Sequence, residues 1–228
     1  MTATQSTRNK KVGWPMYRTL VGIGLICALV IVTAFEATFP IIKVNRQRAL
    51  EAAIYRVLAD TKSFAALTLN GESLDRNNHL QKASKSSSPI IYACFDARQR
   101  LIGFAIPAQG MGYQDAIDLL YGYSTQSESI KGLVVLQNRE TPGLGSKIES
   151  RRFLENFSNI EINLKSIGDQ WQHPLELIRN THKTHSRQID AITGATISSQ
   201  AVVSILNRSL AFWLPILAKQ QESTDLEH

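Results

Sequence analysis

Cysteine is nearly absent from this sequence, with two residues, Cys27 and Cys94, among 228. Cys27 lies inside an apolar run and Cys94 lies in a candidate strand, so the two have very different surroundings. A disulfide framework needs several cysteines at regular spacings, and a cysteine metal site needs them clustered. The sequence therefore indicates neither kind of site.

Two other common signals are also missing. No G-x-G-x-x-G follows a predicted strand, which argues against a dinucleotide-binding doubly wound sheet. His182 and His185 are spaced to share a helix face, but no third ligand converges on them and their surroundings are polar. We interpret them as solvated histidines, because a metal site needs a fuller ligand set. No metal ligand is predicted.

Positive charge is in excess but is not patterned. The formal net charge is +6 and the isoelectric point is about 9.4. The basic residues are spread along the chain, without aromatic residues interleaved among them and without a stripe along a helix. The pattern therefore does not indicate a nucleic-acid partner.

One long apolar run stands out, from Thr19 to Phe39. About 20 residues in a helix cover about 30 Å, the thickness of the hydrocarbon core of a bilayer. A cleavable signal peptide would have a shorter apolar core and a small-x-small cleavage site, so we predict a retained transmembrane helix. The basic residues before the run slightly outnumber those after it: Arg8, Lys10, Lys11 and Arg18 against Lys43, Arg46 and Arg48.

This charge bias favours an N-terminal tail in the cytoplasm. The remaining chain is then expected on the periplasmic side of the inner membrane, as one sizeable domain. The predicted divisions are a cytoplasmic tail at 1–18, a transmembrane helix at 19–39, a connecting helix at 40–60, the domain at 61–218 and a tail at 219–228.

The domain mixes predicted strands and helices. Apolar runs at 90–95 and 101–106, joined by a short polar connection, predict a β-hairpin. Residues 114–121 predict a short helix, and residues 130–137 predict a buried strand. Because these elements show no regular βαβ alternation, the sequence predicts an α+β domain.

A glycine-containing loop follows the last of these strands. Its sequence is Glu140-Thr-Pro-Gly-Leu-Gly145. Proline fixes one φ angle, while glycine permits positive φ and close backbone approach, so the loop is expected to be tight. An ordinary turn would have the same composition, since Pro-Gly is a common turn dipeptide.

A second segment, Asp190-Ala-Ile-Thr-Gly-Ala-Thr-Ile-Ser-Ser199, precedes residues with apolar helical spacing. Thr196 is therefore predicted at or near a helix N-terminus. The free backbone N–H groups and the positive end of the helix dipole suit a phosphate there. Threonine is also a common helix cap, so the residues alone leave the two roles of Thr196 open.

The second segment resembles a known motif. Asp190-Ala-Ile-Thr-Gly-Ala-Thr196 is similar to the flavinylation motif of the FMN-binding domain family. That domain is found in the G subunit of the Rnf electron-transport complex and in the C subunit of the sodium-pumping NADH:quinone oxidoreductase. The loop from Glu140 to Gly145 resembles the second signature of the family. The order of the N-terminal membrane anchor, the Gly112-Tyr113 segment, this loop and the flavinylation motif matches the Rnf G subunit.

The resemblance implies a covalent cofactor. Thr196 would be esterified to the FMN phosphate by a separate flavin transferase, and the chain would work with the other membrane subunits of an Rnf-type complex. No catalytic side chain is implied, because the redox chemistry belongs to the flavin. The cofactor-binding residues implied are Thr196, Thr193, Gly194, Ala195, Glu140, Thr141, Gly143, Leu144 and Gly145.

Two alternatives remain at this point. The FMN protein could serve another electron-transfer chain of the cell envelope, which the genes next to its own would reveal. A non-redox, membrane-tethered binding module would instead use Thr196 only as a helix cap. An acid-stable yellow chromophore on the denatured protein would exclude this second alternative.

Overall fold

The structure is a computed structural model that describes residues 13–70, 73–77, 88–162, 174–179 and 183–225. The histidine at position 182 falls outside these residues, as does the tail before residue 13. The chain divides into two compact units, residues 1–48 and residues 49–228.

A single helix, α1 (Trp14–Val57), contains the predicted transmembrane segment and nearly all of the predicted connecting helix. Its first part is long and apolar enough to cross a membrane, and its apolar side chains there are exposed. The hydroxyl groups of Thr19, Thr33 and Thr38 donate to the carbonyl oxygens four residues earlier. These bonds satisfy the hydroxyls within the helix, which hydrocarbon surroundings require.

The second unit contains an antiparallel sheet with strand order β2-β1-β3-β4-β5-β6-β7. The strands are β1 (Ser63–Asn70), β2 (Ser73–Asn77), β3 (Ile90–Phe95), β4 (Leu101–Met111), β5 (Ala116–Ser124), β6 (Ser129–Gln137) and β7 (Ile160–Glu161). A small parallel pair consists of β8 (Glu176–Ile178) and β9 (Gln188–Asp190). The further α-helices are α2 (Arg151–Leu154), between β6 and β7, and α3 (Thr196–Asp225), after β9.

The predicted hairpin is confirmed as β3–β4, and the strand predicted at 130–137 is confirmed as β6, in which Ile130 and Leu133 are buried and the rest of that stretch is half-buried. The short helix predicted at 114–121 is wrong, because this stretch forms β5, paired with β4 and with β6. Nearly every residue of β5 is buried, on both faces of the sheet. A strand buried on both sides has no polar alternation, so its apolar spacing can resemble that of a helix.

The sheet is covered on both faces. On one face, α3 packs Val202, Leu206 and Leu210 into the larger apolar core. On the other, Ile54 and Val57 at the end of α1 pack with Leu120 of β5 in a smaller core. Burial of each such side chain contributes about 1.5–3 kcal/mol. The resulting α+β architecture agrees with the predicted fold class.

Helix α3 also meets the length and hydropathy criteria for a membrane span, but close to half of that stretch is buried inside the unit. It lies directly on β4, where a Cβ at Gly110 would come within 2.5 Å of Ile205 Cγ1. Its apolar side chains therefore belong to the domain core, and the predicted single N-terminal span corresponds to α1. This packing places the first turn of α3 near the end of β4.

Candidate functional site

Three segments meet at one end of the sheet. They are the turn at residues 112–115 between β4 and β5, the loop at residues 140–145 after β6, and the first turn of α3. The structure therefore brings together the two sequence motifs and the Gly-Tyr segment. We call this place the three-segment site.

The predicted helix start at Thr196 is confirmed, since α3 begins at that residue. Just before it, Gly194 has φ of +83°, a backbone conformation that favours glycine. The amide of Ala195 donates to the carbonyl of Ile192 at 2.9 Å, which closes a turn ahead of the helix. Thr196 thus emerges from a tight turn at the positive end of a 30-residue helix.

Four hydroxyl groups lie between residues 193 and 199, and they divide into two kinds. Ser198 and Ser199 are buried, whereas Thr193 is exposed and Thr196 is half-buried. The Ser199 hydroxyl donates to the carbonyl of Ala195 at 2.9 Å and accepts from the amide of Ile192 at 3.2 Å. The Thr193 and Thr196 hydroxyls make no hydrogen bond to the part of the chain that the structure describes. Either threonine could therefore accept a phosphoryl group, and Thr196 lies on the helix itself.

The loop after β6 is as tight as its composition predicts. The amides of Leu144 and Ser146 both donate to the carbonyl of Thr141 at 3.2 Å. Gly143 has φ of +76° and open space beside its Cα, so its glycine is explained by backbone conformation. Leu144 projects from the loop toward the turn before α3, since a Cβ at Gly194 would lie 3.5 Å from its Cδ2. The two motifs are therefore neighbours.

Glu140 joins all three segments. This carboxylate is only 4% exposed. Its Oε1 accepts a hydrogen bond from the backbone amide of Gln114 at 3.0 Å, and its Oε2 accepts one from the Ser198 hydroxyl at 2.5 Å. The Thr141 hydroxyl adds a bond to the Gln114 side-chain oxygen at 3.3 Å. The contributions of Gln114 and Ser198 were not predicted from the sequence.

The Glu140 side chain also explains two glycines. A Cβ at Gly112 would lie 2.3 Å from Glu140 Oε1, and a Cβ at Gly145 would lie 2.7 Å from Glu140 Oε2. The Cβ at Gly145 would also lie 2.9 Å from Ser198 Oγ. Glycine is therefore required at both positions so that the carboxylate can reach its two donors.

Exposed apolar side chains surround the site. Met111, Tyr113, Leu144 and Ile197 have exposed fractions of 70%, 64%, 50% and 60%. In the described part of residues 49–219, the other exposed large apolar side chains are Tyr55, Leu101 and Phe212. Tyr113, Leu144 and Ile197 belong to the three segments, and Met111 directly precedes the first of them. We call the four residues the apolar rim; such a cluster typically marks a binding surface and fits an aromatic ring system.

A cleft of about 800 Å³ adjoins residues 190–193, the first part of the segment that resembles the flavinylation motif. Lys147, Arg152 and Lys183 line it together with Asp190 and Thr193. Lys183 is held by Asp190, with 3.3 Å between Nζ and Oδ2, while Lys147 and Arg152 have no anionic partner among the described residues. The cleft therefore offers positive charge beside the motif, which suits a phosphate-bearing group.

The residues of the site fit a flavin mononucleotide. A free hydroxyl at a helix N-terminus and nearby cations suit its phosphate, and the apolar rim suits its ring system. No group of three or more histidine, cysteine or acidic residues that could hold a metal ion occurs in the described ranges.

Comparisons with known proteins agree with this geometry. Residues 112–211 match the family described as FMN-binding domain. The chain is 26% identical over 196 residues to the G subunit of the ion-translocating oxidoreductase complex of Methanosarcina acetivorans, covering 85% of this chain and 90% of that protein. It is 34% identical over 99 residues to the G subunit of the Na(+)-translocating ferredoxin:NAD(+) oxidoreductase complex of Acetobacterium woodii, covering 43% and 42%.

A solved structure has the same fold. The crystal structure of Shewanella oneidensis NqrC superposes with a TM-score of 0.57 at 17% identity, covering 75% of this chain and 88% of that chain. The matched family spans all three segments of the site, from Gly112 to beyond Ser198. Residues 112–211 are therefore similar to the FMN-binding domain family, and the chain is similar over most of its length to the G subunit of an ion-translocating oxidoreductase complex.

Proposed function

We propose that this protein is the electron-carrying subunit of a membrane-bound, ion-translocating oxidoreductase complex of the Rnf type, and that it carries electrons on an FMN joined to Thr196 through a phosphoester. The observation that carries this proposal is the free, half-buried Thr196 hydroxyl at the start of α3, beside the apolar rim. The similarity to a relative of this type over 85% of the chain supports the same function.

The attachment needs an acceptor hydroxyl and a donor of FMN. In the proposed reaction, a flavin transferase uses FAD, and the Thr196 oxygen forms a bond to the phosphorus of the FMN half. The bond between the two phosphates of FAD breaks, and AMP leaves together with the hydroxyl proton. No electrons are transferred in this step, so it requires no oxidant.

The chain would hold the bound group at both ends. The free backbone N–H groups of the first turn of α3 and the helix dipole favour the phosphate. The apolar rim would shield one side of the ring system from water, and Leu144 lies close to the attachment turn. When bound, FMN supplies the exchange of one or two electrons.

The protein itself then has no catalytic side chain to provide. Its contribution is to keep the flavin attached and oriented, which allows the cofactor to exchange electrons with neighbouring redox groups. We therefore expect it to act with other subunits of a complex and to have no independent turnover. A covalently held flavin also cannot be lost by dissociation outside the cytoplasm.

Intact mass spectrometry tests the proposal directly. The full chain, isolated from a host that has the flavin transferase, should be heavier than its sequence mass by one FMN less one water. Peptide mapping should locate the addition in the peptide that contains Thr196. A wild-type chain with the sequence mass alone, produced beside another protein that does become flavinylated, would contradict the covalent assignment.

The expected orientation places the FMN domain on the periplasmic side of the inner membrane, because the tail before Thr19 is the more basic flank. Alkaline phosphatase, which is active only outside the cytoplasm, should be active when fused after His228. A fluorescent protein that matures only in the cytoplasm should be dark at the same position. The opposite pair of results would reverse the orientation.

A further inference from the structure

We propose that Glu140 is a positioning residue for flavin attachment: by holding Ser198 toward the domain interior, its carboxylate turns the Thr196 hydroxyl outward to receive the FMN. This inference rests on the proposed function, because it concerns the same attachment reaction. Glu140 thus orients the first turn of α3, in addition to forming part of the loop at residues 140–145.

The first argument is the burial of the carboxylate. Glu140 is 4% exposed, and none of the ion pairs of the described residues includes it. A buried carboxylate is costly unless hydrogen bonds satisfy it. Here each oxygen has its own donor, the Gln114 amide at 3.0 Å and the Ser198 hydroxyl at 2.5 Å. The positive end of α3 provides further stabilisation.

The second argument is helical geometry. Successive residues of an α-helix are rotated by about 100°, so residues two apart point in nearly opposite directions. Ser198 is buried and bound to Glu140, while Thr196 is half-buried and its hydroxyl has no partner among the described residues. Fixing Ser198 inward therefore fixes Thr196 outward. Together with the hydrogen bonds of Ser199 and the core packing of α3, this bond fixes the rotation of the first turn about the helix axis.

The third argument is that Glu140 holds three segments at once. Through the Gln114 amide it also fixes the turn that carries Tyr113 of the apolar rim and directly follows Met111. Gly112 and Gly145 leave room for the carboxylate and for little else. The attachment hydroxyl and one side of the rim therefore take their positions from a single side chain.

The test is the initial rate at which the detergent-solubilised full chain acquires covalent FMN from FAD and purified flavin transferase. Glu140→Ala should load at least about tenfold more slowly than wild type, because a misplaced acceptor loses the reactive geometry. Glu161→Ala is the matched control, since Glu161 is exposed and pairs with Ser129 at the start of β6, the opposite end of that strand from Glu140. It should load within about twofold of wild type, because substitutions of exposed residues usually have small effects.

A double-mutant cycle distinguishes positioning from a general loss of structure. Ser198→Ala alone should slow loading by at least about threefold. The double variant Glu140→Ala, Ser198→Ala should load no more slowly than Glu140→Ala, because the effects of residues that act through one contact are not additive.

Hydrogen exchange of the flavin-free Glu140→Ala protein gives a second measurement. The Gln114 and Ser199 amides should exchange faster than in wild type, while the exchange of the β4–β5 amides should be unchanged.

Two results would overturn the inference: a wild-type loading rate in Glu140→Ala, or additive losses in the double mutant. If Glu140→Ala does not fold, a wild-type loading rate in Ser198→Ala overturns it equally. These outcomes leave the proposed function intact as long as wild type is loaded at Thr196. A wild-type chain that accepts no FMN, or a Thr196→Ala chain that loads fully, refutes the proposed function instead.

Discussion

Thr196→Ala is expected to remove covalent FMN completely while the domain remains folded. The substitution deletes the acceptor oxygen and breaks no hydrogen bond among the described residues, so it should change stability by no more than about 0.5 kcal/mol. Neither buried serine of the segment can replace it, because Ser198 is bound to Glu140 and Ser199 to the carbonyl of Ala195. In-gel flavin fluorescence of the denatured protein measures the loss, and circular dichroism checks the fold.

Two matched variants sharpen this test. Thr193→Ala removes the exposed hydroxyl of the segment and should still carry covalent FMN on Thr196. Thr196→Ser keeps an acceptor oxygen at the helix start and should still receive FMN. Fluorescence on denatured Thr196→Ala protein would show that the flavin is attached elsewhere, and its loss from Thr193→Ala would move the attachment to that threonine.

Gly145→Ala is expected to have the second-largest effect, through the packing around Glu140. The added Cβ would lie 2.7 Å from Glu140 Oε2 and 2.9 Å from Ser198 Oγ, so the carboxylate or the helix start must move. Such overpacking costs about 1–3 kcal/mol. We expect a thermal unfolding midpoint lower by several degrees and covalent loading reduced at least about tenfold.

Gly132→Ala is the control for adding a methyl group to a glycine. Its Cβ would meet Val57 at 3.7 Å, an ordinary contact, so stability and loading should be close to wild type. If Gly145→Ala has the same thermal unfolding midpoint and the same covalent loading as Gly132→Ala, the close packing of Glu140, Gly145 and Ser198 is not what stabilises the site.

Gly143 gives a useful contrast, because its substitution strains the backbone without crowding the carboxylate. Its φ is +76° and nothing lies within 4 Å of an added Cβ. Gly143→Val should therefore keep covalent FMN, with the strain and the new side chain changing the visible spectrum of the flavin. An unchanged spectrum in fully loaded, folded protein would indicate that the loop is a turn and lies away from the ring.

Much of the framework follows from local sequence signals. The 21-residue apolar run, the hairpin at 90–106 and the helix start at Thr196 are each encoded by a few neighbouring residues. The strand at 116–124 was not predicted, because its burial comes from α1 on one face and α3 on the other. No window of the sequence contains either of those partners.

The candidate site likewise has features that nearby residues predicted and features that depend on distant residues. Proline and glycine between Glu140 and Gly145 predicted a tight loop, and positive φ at Gly143 agrees with it. The buried carboxylate was missed because its donors, Gln114 and Ser198, lie 26 and 58 residues away. One sequence signal was available. Glu140 is an acidic residue that follows β6 and begins a loop whose glycines leave space for a side chain. Only the folded chain shows what fills that space.

The long separation between Glu140 and Ser198 also orders the events of maturation. The contact closes a loop of 58 residues, and Ser198 is synthesised after Glu140. Contacts between distant residues form late in folding, because the chain between them must be ordered first. The outward-facing acceptor thus exists only after both residues have been synthesised and the sheet has formed. A truncated or unfolded chain would lack it, and cofactor loading would then report that the domain is correctly folded.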